Sequence, residues 1–136
     1  MSDDKKSENT VNDSIDVIIR TLELSQTIVE AIEHFITLLS GGLPEEGEAM
    51  LSIIGGGMES IENTFPIIFK EGLVDAGVSD ECSGYFSEAV SAFEDTVNAV
   101  VSEDQEELGR KSPALKAAYK AWDDAANKYL RKITLM

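Results

Sequence analysis

Apolar residues recur at spacings of three and four from Ile15 through Ile18, Leu22, Val29, Ile32 and Ile36 to Leu39; Ser25 falls in the same register, and Ile19, Ile28 and Phe35 widen the stripe. That period predicts one long amphipathic helix with a single face towards a core. Asn12 or Asp13 is the predicted cap, and the helix runs about 40 Å to Ser40 at 1.5 Å per residue. Gly41 and Gly42 stop it, because glycine takes the left-handed conformation after a helix, and Pro44 two residues on forbids simple continuation.

A second helix is predicted from Pro44, whose missing amide proton is no loss in a first turn, with Glu45, Glu46 and Glu48 favouring the positive helix start. Met50, Leu51, Ile54, Met58, Ile61 and Phe65 form its buried face. Gly55, Gly56 and Gly57 interrupt that pattern, each weakening a helix by about 1 kcal/mol relative to alanine. Either the helix continues through them, packed closely on a neighbour, or it bends and divides there. Pro66 adds a kink or a short new helix over residues 66–72. A loop is expected over residues 72–78, and then a helix capped by Ser79, carrying Cys82, Tyr85 or Phe86, Ala89, Phe93, Val97 and Val100 on one side and ending near Leu108 with Gly109 as its stop. Ser112-Pro113 starts the last helix, with Leu115, Ala118, Tyr119, Trp122, Ala125 or Ala126, Tyr129 and Ile133 inward.

Four amphipathic helices joined by short turns predict an all-α fold, an antiparallel four-helix bundle with a short extra helix or kink near Pro66. No alternating strand pattern competes. The domain reading is a polar, flexible segment over residues 1–11 followed by one helical domain over residues 12–136. Within the sequence no apolar stretch has the form of a signal peptide or a membrane span: Asp16, Arg20, Glu23, Glu30 and Glu33 interrupt the most apolar segment. A soluble chain in the cytoplasm is expected.

Composition changes the picture through charge. The 26 Asp and Glu against 11 Lys and Arg give a net charge of −15, and 43% apolar residues are enough for a core, which argues against disorder. The charge is unevenly divided. Residues 1–109 hold 24 acids and 4 bases, whereas residues 110–136 hold 2 acids and 7 bases. There is no Lys or Arg between Thr21 and Phe69, and none from Glu71 to Leu108. Such a field opposes nucleic-acid phosphates and attracts basic proteins. The bases of the last helix, Arg110, Lys111, Lys116, Lys120, Lys128, Arg131 and Lys132, either balance the acidic body internally or form a local basic stripe.

Chemistry contributes mostly exclusions. One cysteine and one histidine cannot supply a thiolate metal site or a di-iron bundle, whose helices need two Glu-x-x-His pairs. Glu30 and His34 stand four apart without the partners such a site requires. The triple glycine lacks the lysine of a phosphate loop and has no preceding strand. No catalytic residue, metal ligand or cofactor is assigned. Glu88, Asp95 and Glu103 are the candidate interface acids. Tyr119, Lys120 and Trp122 are candidate interface residues of the last helix, although the spacing of Tyr119 and Trp122 equally suits a core, and a homodimer is one arrangement in which they would be used. Gly55, Gly56, Gly57, Pro66 and Cys82 are assigned structural roles, Cys82 as a small buried hydrophobe. The function expected is noncatalytic binding of a protein, a basic one in first place, or its inhibition. A nucleic-acid mimic, a salt-adapted structural domain and a small-ligand or metal-dependent enzyme are the alternatives.

Overall fold

A computed structural model describes the backbone of residues 2–42, 44–70 and 72–135, and the side chains of these from Asp13 on, Pro44 excepted. The elements are α1 (Ser2–Ser40), α2 (Pro44–Glu62), α3 (Phe65–Ile68), α4 (Ala76–Val101) and α5 (Gln105–Thr134). The four long elements form an all-α bundle, with α3 as the short extra helix at Pro66.

Neighbouring helices pair in opposite senses. Along α1 and α2, Phe35 and Leu39 lie against Gly47, Ile28 and Leu24 against Gly57, and Thr21 against Thr64. Between α1 and α5, Glu33 meets Lys116 and Ser25 meets Tyr119 and Asp123. Between α4 and α5, Asp95 and Thr96 meet Lys111, while Phe86 packs on Trp122. Helices α2 and α4 meet only loosely, chiefly where Gly55 lies beside Phe93. The bundle is therefore well joined along three of its seams and open along the fourth.

The core is built from Ile18, Leu22, Ile28, Ile32 and Phe35 of α1, Leu51, Ile54, Met58 and Ile61 of α2, Cys82, Phe86 and Ala89 of α4, and Leu115, Tyr119, Trp122 and Leu130 of α5. At one end α3 inserts Phe65 against both Phe86 (5.0 Å between ring centroids) and Trp122 (5.6 Å). These tilted and edge-on aromatic contacts add specific geometry to simple burial.

Several predicted boundaries shift. Helix α1 begins at Ser2, ten residues before the first of the expected caps, so its backbone is helical over residues 2–11 as well. Met1 lies outside the described residues. Helix α2 passes through all three glycines without a break. Helix α4 starts at Ala76, a turn earlier than Ser79: Asp75 is extended (φ −60°, ψ 143°) and its carbonyl accepts the Ser79 N–H at 2.9 Å, so Ser79 is already inside the ladder.

The break between α4 and α5 falls at Ser102–Asp104, and Gly109 and Pro113 lie inside α5. Here Glu103 takes the left-handed conformation (φ 55°) usually reserved for glycine. Asp104 then caps α5 by accepting the Glu107 N–H at 3.1 Å. Pro113 deprives the Gly109 carbonyl of its helical partner, but both residues are exposed and water can serve that oxygen, while the Ser112 hydroxyl donates to Leu108 O at 2.8 Å.

Candidate functional site

The loose α2–α4 seam holds an apolar groove of about 430 Å³, lined by Glu48, Leu51 and Ser52 of α2 and Phe93, Val97, Val100 and Val101 of α4. On α4 the lining residues recur at four, three and one, which places them on one side of the helix. Phe93, Val97 and Val100 continue, at four, four and three, the stripe that Cys82, Phe86 and Ala89 bury nearer the start of α4, while towards its end burial passes to Thr96 and Ala99. Helix α4 therefore has an apolar arc wider than the bundle covers. Phe93, Val97 and Val100, expected in the core, stand half-buried at the groove, and Val101 is 76% exposed.

On α2, Glu48, Ser52, Gly55 and Glu59 follow one another at four, three and four and so share the side towards α4. A Cβ at Gly55 would stand 2.8 Å from Phe93 Cζ, so the glycine is what lets the ring lie against the α2 backbone at the inner end of the seam. Beyond the other end, a second hollow of about 480 Å³ shares Glu48 and Val100 with the groove and brings Glu45 and Glu103 beside them. The walls have one sign of charge: α2 carries Glu45, Glu46, Glu48, Glu59 and Glu62, α4 carries Asp80, Glu81, Glu88, Glu94 and Asp95, and neither holds a Lys or Arg.

Of the acids singled out from sequence, Glu103 belongs to this surface. Asp95 faces α5, where its carboxylate lies 3.8 Å from Lys111, and Glu88, seven residues earlier, shares that side of α4. Tyr119 and Trp122 are fully buried, and neither presents surface to a partner; their size drives them into the space where α1, α3, α4 and α5 converge. Lys120 is exposed on α5. Basic residues of that helix engage the acidic body in exposed ion pairs, Arg110 with Glu107, Lys111 with Asp95 and Lys116 with Glu33, each worth at most about 1 kcal/mol.

A buried polar cluster ties α1 to α5. The Ser25 hydroxyl donates to Asp123 Oδ1 at 2.6 Å and lies 3.0 Å from the Tyr119 hydroxyl. Burial, with the Asp123 charge adding to it and the Ser25 hydrogen bond opposing, pushes the Tyr119 phenol above its usual range. The Trp122 indole N–H approaches that hydroxyl without the geometry of a hydrogen bond and has no other partner among the described residues. No group of three or more His, Cys, Asp or Glu among the described residues is arranged to hold a metal ion.

Cys82 is buried, and that burial together with Glu81 pushes its thiol up to about 11. A thiol reagent added at pH 8 is expected to modify Cys82 only as fast as the domain opens, with a rate that rises along the urea unfolding curve. The linkage has a definite sign. Between the unfolded value near 9 and the folded value near 11 the unfolded chain binds fewer protons, so stability falls as pH rises through that window, by on the order of 2 kcal/mol. A urea midpoint that holds steady from pH 8 to pH 10.5 would contradict this.

No described helix is long and apolar enough to cross a membrane. No curated protein matches the chain, and no solved structure does. Residues 16–111, which run from Asp16 within α1 to Lys111 in α5 and include both walls of the groove, match the family described as a domain of unknown function, DUF8042, and the chain belongs to that family.

Proposed function

We propose that this chain is a noncatalytic protein-binding module that recognises a basic protein, and that it inhibits such a partner by covering its basic surface. The observation that carries the reading is the α2–α4 face, where an apolar groove is edged by Glu45, Glu48 and Glu103 and lies between two helices that hold no base. Like charges on both walls speed encounter with a cationic partner, and apolar contact then supplies what salt cannot screen. The test is capture from the native host at low and high salt beside control proteins of similar net charge. Recovery of one basic partner that the controls do not retain, weakened by salt, is expected; no selective partner at either salt would sink the reading.

Carboxylates also cover sides away from the groove, Glu88 and Asp124 among them, which favours a second reading as a salt-adapted domain. Circular dichroism separates the two. A domain fully helical at about 10 mM salt, where charges interact over about 30 Å, does not need salt to offset its repulsion.

A further inference from the structure

We infer that the α2–α4 groove receives an amphipathic basic helix of the partner protein, which lies along the seam as a fifth helix of the bundle. This rests on the proposed recognition of a basic protein and assigns its site and the form of the segment it takes. Three observations lead there. Leu51, Phe93, Val97, Val100 and Val101 give the groove an apolar floor and rim, which wants an apolar stripe. Glu48 on the α2 wall, Glu94 on the flank of α4 seven residues before Val101, and Glu45 with Glu103 beyond Val100 edge that floor with carboxylates, which want Lys or Arg on the flanks of the same segment. Among the described residues the long elements are all helices, so there is no sheet edge to supply main-chain hydrogen bonds to an extended peptide. A guest that satisfies its own backbone is required, and a helix does so.

A second copy of this chain fits the seam less well, since it would bring a body of net charge −15 towards another of the same sign. Three of the seven bases of α5, Arg110, Lys111 and Lys116, pair with carboxylates of their own chain, which reduces what that helix can offer to the acids of a copy.

The test uses the full chain and a synthetic peptide of about 18 residues, close to 27 Å as a helix, with Leu at helical spacing and Lys elsewhere. A second peptide of identical composition has its Leu residues dispersed around the helix. Fluorescence anisotropy at low salt should show the striped peptide binding at least about tenfold more tightly than the dispersed one, with the peptide gaining helical circular dichroism as it binds.

Two variants then separate apolar docking from charge. Val101→Glu adds a negative charge at a position already exposed, so attraction by charge alone would strengthen, whereas docking in the groove should weaken at least about tenfold. Ser52→Trp fills the groove from the α2 side and should block it equally, its fold being checked by thermal melting. Unchanged or tighter binding to Val101→Glu, or equal binding of the two peptides, overturns helix docking while leaving recognition of basic proteins standing. If neither peptide binds at low salt, both the docking and the recognition it rests on fail. A dimer in sedimentation that Val101→Glu dissociates overturns the assignment in favour of a second copy.

Discussion

Replacing Trp122 by Ala is expected to destabilise the domain by about 3–5 kcal/mol, the range for deleting a large buried aromatic, against a total of about 5–15 kcal/mol for a domain of ordinary stability. The residue is 0% exposed and touches both Phe65 and Phe86, so the deletion empties the point where α3, α4 and α5 converge. Urea unfolding followed by far-ultraviolet circular dichroism reads the loss, as a lower midpoint or as a chain already unfolded in water. Trp122→Phe keeps an aromatic ring in place and removes an indole N–H that makes no well-formed hydrogen bond among the described residues. Leaving such a donor unpaired costs about 1–3 kcal/mol, so this substitution should destabilise by much less than Ala. Equal losses for Phe and Ala would show that the indole N–H is satisfied and that the ring contacts matter less than its hydrogen bond.

The three consecutive glycines should respond to alanine with opposite signs although they share one turn of α2. At Gly56 a Cβ meets nothing within 4 Å, and Gly56→Ala should stabilise by about 1 kcal/mol through helix propensity and a less flexible unfolded chain. At Gly57 a Cβ would stand 2.8 and 2.9 Å from Cδ1 and Cγ1 of Ile28, itself buried in α1, and at Gly55 it would meet the Phe93 ring at 2.8 Å. Overpacking of that kind costs about 1–3 kcal/mol, enough to exceed the propensity gain. Gly57→Val should be worse than Gly57→Ala, and the melting temperatures of the single variants provide the comparison. A uniform gain across all three positions would mean that α1 and α4 give way at small cost and that the glycines do not set the helix spacing.

Those glycines show how far the chain could be read. Their place in a helical pattern at Met50, Leu51, Ile54, Met58 and Ile61 pointed to a continuous helix or a break. What decides it lies on other helices: Ile28 and Phe93 occupy the room the absent side chains leave. The four apolar stripes and the helix at Pro66 were legible because helix period and proline are local signals. The α4–α5 boundary was misplaced because Gly109 and Pro113 look like a stop and a restart. The chain turns instead on a left-handed Glu103 that no residue preference announces. One signal was there to be found, since Asp104 with Glu107 three residues later has the spacing of a capping box.

The groove was the least legible feature. Phe93, Val97 and Val100 satisfy the period of a core helix, and period alone does not tell whether a neighbour covers them. The clue available in the sequence was excess: α4 has more apolar positions than one face can hold, with Val90 and Val101 lying beside the stripe of Cys82, Phe86, Ala89, Phe93, Val97 and Val100. Charge counts located the acidic body but not the groove, because Glu88 and Asp95 are on the α4 face turned away from it and towards α5.

The Ser25–Tyr119–Asp123 cluster has a mechanical consequence. Sliding α5 one turn along α1 would move the Asp123 carboxylate from Ser25 to the neighbourhood of Val29, which has no donor, or of Thr21, whose hydroxyl already donates to Val17 O at 2.7 Å. A buried carboxylate stripped of its donor is costly, so the two helices are indexed to a single setting. The α1–α5 seam then behaves as the spine of a book, with the α1–α2 and α4–α5 pairs as its covers and the α2–α4 seam as the free edge. A helix docked in that edge, as proposed above, would part the covers about the spine and leave its register unchanged.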